Sequence, residues 1–96
     1  MKYKIGDTVY IKSLDWYNDN KNYGGDVYVK SYNFFFDKHM QHFCGKSAII
    51  KDIDRDAYKI NLDDRIFFWE DYMFEDIKEI RKKKIKKLYE SKLIKF

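Results

Sequence analysis

Between positions 45 and 75 the chain breaks into short apolar–polar runs separated by acidic turns (GKSAIIKDIDRDAYKINLDDRIFFWEDYMFE). Residues 47–53 read as a strand, followed by a turn over Asp54, Arg55 and Asp56. A second strand spans 57–62, where Tyr58, Ile60 and Leu62 alternate with Lys59 and Asn61. After an Asp63-Asp64 turn, residues 66–69 form a third, and 70–75 a short helical turn. Strands of this length joined by tight polar turns form a meander whose register the turns fix. Ile66 with Phe68, or Phe67 with Trp69, supplies the inward pair of the last strand, because a slip of one residue exchanges the faces.

A meander alone leaves its apolar face in water, so further strands are required. One is expected over 7–13, where Val9 and Ile11 alternate with Tyr10 and Lys12; another, over 25–31, carries Val27 and Val29. Between them, residues 14–26 (LDWYNDNKNYGGD) read as a long polar-aromatic loop. In 32–44, Phe36, Met40 and Phe43 are spaced as one face of a one- or two-turn helix capping a barrel end, with Asn33 or Asp37 as its N-cap. Phe34 and Phe35 fall outside that stripe. The sum is a mainly β domain over residues 1–75, a small, partly open five-stranded barrel.

Beyond Phe74 the period changes to that of a helix, expected over 76–96. Two tracks fit: Ile77, Ile80, Lys84 and Leu88, or a broader arc of Ile77, Ile80, Ile85, Leu88 and Tyr89. Acidic Glu75, Asp76 and Glu79 at its start and Lys86, Lys87 and Lys92 towards its end suit the helix dipole.

Composition sharpens this picture in three ways. Aromatic residues make up 20% of 96 positions, more than a core of this size readily hides, so part of them should form surface. Residues 75–96 hold nine Lys or Arg against four acidic residues, so of the net +4 the tail supplies +5 and residues 1–74 supply −1. A partner chosen by charge therefore belongs at the tail. Cys44 is the single cysteine, which fits a reducing compartment, and the N-terminus lacks the apolar core of a signal peptide. No apolar run reaches the roughly 20 residues of a membrane span. The expectation is a cytoplasmic protein with no membrane role.

The start GDTVYI, the Asp15-Trp16-Tyr17 loop, the Phe/Met segment entering Cys44-Gly45-Lys46, Tyr58-Lys59-Ile60, and the run from Phe68 to Glu75 together resemble small SH3-like barrel proteins of bacteriophages and low-GC bacteria. The resemblance covers about residues 3–75. It implies an SH3-like barrel, with 14–26 as its long first loop and 70–74 as its short helical turn. Small phage proteins of this look include inhibitors of host defence or host machinery, and the resemblance implies a role of that kind.

Candidate chemistry is sparse. Asp37, His39, His42 and Cys44 lie close together, but on a helix Cys44 projects away from both histidines, and no second cysteine pair completes a tetrahedral zinc set. Cys44 with His39 or His42 is the one nucleophile–base pairing worth naming, and adjacency in sequence does not establish the geometry catalysis needs. Asp52, Asp54, Asp56, Asp63 and Asp64 occupy turns and lack the spacing and glycine of a calcium loop. No metal, cofactor or enzymatic activity is expected.

Binding is better represented. Trp16, Tyr17, Tyr23, Tyr28, Tyr32 and Trp69 are placed to meet on one side of a barrel as an aromatic protein-binding patch. Ile77, Ile80, Ile85 and Leu88 would pack the helix on the barrel or on a second copy, making a homodimer. Arg81, Lys82, Lys83, Lys84, Lys86 and Lys87 would neutralise phosphates without reading bases. The sequence thus describes a non-enzymatic protein-binding module, a phage-encoded modulator or inhibitor of a host factor. Its alternative is a nucleic-acid-binding accessory protein acting through the basic C-terminal helix.

Overall fold

The computed structural model describes residues 2–76. The expected C-terminal helix, with its Ile77, Ile80, Ile85 and Leu88 face and its Arg81, Lys82, Lys83, Lys84, Lys86 and Lys87 block, lies outside the described residues, apart from Asp76.

Three strands form one antiparallel sheet in the order β1 (Thr8–Tyr10), β2 (Ser47–Asp54), β3 (Ala57–Ile60). The apolar alternation sets the pairing: Val9 lies opposite Ala48, and both are buried. β2 and β3 form a hairpin in which Asp54 faces Ala57 across Arg55 and Asp56, both at positive φ (54° and 60°). Two left-handed residues in a two-residue loop match the right-handed twist of the flanking strands. The ladder shifts between Ile50 and Asp52, which leaves Lys51 as a bulge. There the Asn61 side chain replaces a rung, its Oδ1 accepting the Ile49 N–H at 2.9 Å while the Asn61 N–H donates to the Ile49 carbonyl at 3.2 Å.

The remaining segments cover this sheet without joining it as strands. Ser13 caps α1 (Leu14–Asn20), its hydroxyl accepting the Trp16 N–H at 3.1 Å. α1 buries Tyr17, whose hydroxyl donates to the Gly25 carbonyl at 2.5 Å. A 3-10 helix, Lys38–Phe43, starts at the Asp37 carboxylate, which accepts the His39 N–H at 2.7 Å. A second, Asp71–Met73, precedes a bridge between Ile11 and Phe74. In both, the methionine sulfur accepts the backbone N–H three residues earlier: Met40 from Asp37 at 3.1 Å, Met73 from Glu70 at 3.4 Å.

The expected five-stranded, partly open SH3-like barrel is therefore corrected to an open three-stranded sheet. Residues 14–20, expected as loop, are helical. The strands expected over 25–31 and 66–69 survive as single bridges, Val27 to Phe36 and Tyr58 to Trp69. For residues 66–69 the cause lies in Asp63. Its carboxylate takes the N–H groups of Arg65 (3.0 Å) and Phe67 (3.1 Å), so Phe67 has no donor left for β3. Pairing resumes only at Trp69, which exchanges both backbone bonds with Tyr58 at 2.7 and 3.0 Å.

The core lies between the sheet and these coverings. Trp69 is fully buried, stacked on Phe74 (5.9 Å, 13°) and met edge-on by Phe36 (5.8 Å, 79°). Trp69, not Phe68, is the inward residue of its segment.

Candidate functional site

Two loop segments leave their phenylalanines half-exposed, and they face each other. The bridge to Val27 pins Phe36 in the core, so Phe34 and Phe35 emerge from the segment ahead of it. Ile66, Phe67 and Phe68 emerge opposite, ahead of buried Trp69. Between them runs an apolar groove of about 190 Å³, with Met40 below and Asn33 and Asp37 at its margin. Ile66 is 69% exposed and Phe35 43%, so the groove presents apolar surface to solvent.

Both walls are fixed by side chains. The Glu70 carboxylate accepts the Phe34 N–H at 2.7 Å, and the Tyr72 hydroxyl donates to the Phe34 carbonyl, also at 2.7 Å. Burial, then the neighbouring Glu70 carboxylate, pushes the Tyr72 phenol well above its ordinary range, so it stays a donor. On the other wall, Asp63 adds the Trp69 indole N–H (2.9 Å) to the two backbone donors it already holds. Its carbonyl also receives the Ile66 N–H at 3.1 Å, closing a turn in which Asp64 and Arg65 have φ of 53° and 63°.

Phe68 joins the walls. Its ring stacks on Phe34 (4.6 Å, 15°), while the Lys59 ammonium lies 3.6 Å from the ring centroid. Groups that near a ring must occupy opposite faces, so Phe68 is held between an aromatic and a cation. Lys59 is buried and donates to the Ile66 carbonyl at 3.3 Å, so its charge supports the wall from behind. The Arg55 guanidinium is 5.7 Å from the same ring.

A second, polar cleft of about 350 Å³ lies across the 63–66 turn, lined by Lys51, Ile60, Asn61, Asp64 and Arg65.

The structure divides the six aromatic residues that the sequence grouped as one patch. Trp69 and Tyr17 are core residues, so neither offers a surface. Tyr23 is fully exposed in the 22–26 loop. Tyr28 is exposed and stacks on Phe35 (6.1 Å, 16°), which connects it to the groove. Trp16 and Tyr32 are half-buried, and both contact Tyr72, at 6.4 and 4.7 Å between ring centroids. The sequence reading missed Phe34, Phe35, Ile66, Phe67 and Phe68. Their signal was present: two phenylalanines outside the helical stripe, and a strand too apolar on both faces.

The Cys–His segment is arranged differently from a nucleophile–base pair. Among the described residues no hydrogen bond joins Cys44 to an imidazole, and burial raises its thiol pKa. The His39 Nδ1 is instead 2.8 Å from Asp37, whose carboxyl is held below its ordinary value first by the His39 backbone N–H. No group of three or more His, Cys, Asp or Glu among the described residues is arranged to hold a metal. No described helix is long and apolar enough to cross a membrane. Comparison with protein-family models, curated proteins and solved structures finds no match to this chain.

Proposed function

We propose that this protein is a non-enzymatic protein-binding module acting in the cytoplasm, and that the phenylalanine groove is its contact surface. The observation carrying this reading is that exposed apolar side chains sit on walls already fixed in place. Each wall is held by buried or half-buried side chains bonded to its backbone, so little ordering remains to oppose binding. Rigid aromatics in a concave setting are favoured anchors, because they bury much area for few lost rotamers. The host-factor part of the reading, modulation or inhibition by a phage-encoded protein, rests on the sequence likeness alone and no longer on a barrel.

The test is capture from a lysate of low-GC bacterial cells by the full chain, with and without nuclease. A discrete protein should be retained after nuclease, and lost with Ile66→Ser or Phe35→Ser while both variants keep the wild-type circular dichroism. Retention that vanishes with nuclease, and with Lys83, Lys84, Lys86 and Lys87 changed to Glu, would instead move the function to phosphate contacts by the basic tail.

A further inference from the structure

The charges around the groove are unevenly used. Its nearby carboxylates are engaged within the protein: Asp63 by three N–H groups, Glu70 by the Phe34 N–H, and Asp37 by His39. Two of the cations are not. Among the described residues neither Lys51 nor Arg65 makes an ion pair, yet both line the polar cleft against the single carboxylate of Asp64. Both also occupy backbone positions that re-aim a side chain. Lys51 is the bulged residue of β2, and Arg65 is held left-handed where glycine or asparagine would be more comfortable. Arg65 and Ile66 are consecutive, so cleft and groove share one wall.

We propose that the groove and the cationic cleft form one site for an acidic–apolar peptide segment of a partner protein. A large apolar side chain seats between Phe35 and Ile66, and a carboxylate meets Lys51 and Arg65. Because Arg65 lines the cleft and the adjacent Ile66 lines the groove, the two side chains are near neighbours in the segment's sequence. This inference rests on the groove being a protein-contact surface, and adds the chemistry of what it accepts.

The experiment is selection of a displayed random peptide library on the immobilised full-length protein. Enriched sequences should pair a bulky apolar residue with a near-neighbour Asp or Glu. The same selection on Lys51→Glu/Arg65→Glu should replace the acidic preference by Lys or Arg, and Ile66→Ser should remove the apolar one. Reversing Lys83, Lys84, Lys86 and Lys87 should leave the enriched set unchanged. A synthetic consensus peptide, followed by fluorescence anisotropy, should bind the double charge variant at least about tenfold more weakly than wild type. Enrichment without carboxylates, no enrichment, an acidic preference that disappears only with the tail reversal, or displacement by a single-stranded oligonucleotide would each overturn the proposal. Where Ile66→Ser still abolishes lysate capture but no acidic preference emerges, the groove reading stands and this inference alone falls.

Discussion

Asp63 is the residue on which most depends. It is buried, and its carboxylate accepts from Arg65, Phe67 and the Trp69 indole. Asp63→Ala strands three donors at once, so the expected loss is about 2–4 kcal/mol, at the upper range for buried hydrogen bonds to a charged group. Urea unfolding followed by tryptophan fluorescence measures it, and a loss below about 1 kcal/mol would show that water replaces the carboxylate. Tyr58 is a second such node: its hydroxyl donates to Asp71 at 2.5 Å and accepts the Tyr3 N–H at 3.0 Å. Burial, then the Asp71 hydrogen bond, pushes this phenol up to about 12 from an ordinary 10. The neutral phenol is the form favoured by folding, so its contribution is complete below about pH 10 and is lost as pH rises through about 12. Stability should fall across that window, and Tyr58→Phe should make the fall shallower. An unchanged slope would assign the alkaline loss to other groups.

At the scale of elements, what the sequence showed depended on whether a local rule or a tertiary partner decided the outcome. The β2–β3 hairpin was legible because its alternation and its acidic turn agree. Its Asp56 holds a φ of 60°, so Asp56→Gly should raise stability by about 0.5–1 kcal/mol, read as an increase in Tm. α1 was not legible. Its sequence LDWYNDN is poor in strong helix formers and rich in residues that prefer turns. What holds it is the Ser13 cap and the burial of Tyr17, of which only the cap leaves a trace in sequence. Ser13→Ala should therefore cost about 1 kcal/mol, and a neutral outcome would leave Tyr17 as the sole support. The last strand failed for a different reason. Residues 66–69 have strand composition, but the Phe67 donor goes to a side chain four residues back, a choice no periodicity encodes. The groove was hidden with it, since its walls meet only in the fold.

Across the described chain, early and late segments hold one another. The Glu75 N–H donates to the Tyr10 carbonyl at 2.7 Å, Lys12 N–H to the Met73 carbonyl at 2.9 Å, and Lys12 pairs with Glu75 at 3.8 Å. β1 is thus bonded on one edge to β2 and on the other to residues 73–75. The structure expects one cooperative unit. Amide exchange should be slowest at the β1–β2 pairing and the Tyr58–Trp69 bridge, and fast at Tyr23, which lies at an exposed loop tip. Early exchange of β1 with β2 still protected would show two units.

The Asp63 anchor has one more consequence, for how this surface changes over generations. In an ordinary strand, replacing a residue disturbs a neighbour across the ladder, and the fold resists change there. Here a side chain outside the wall fixes the backbone of residues 65–67, leaving Ile66 with little to pack against. Variation at that position is therefore cheap for the fold. Under the proposed role of the groove, a lineage could alter what is recognised at Ile66 while inheriting the scaffold unchanged.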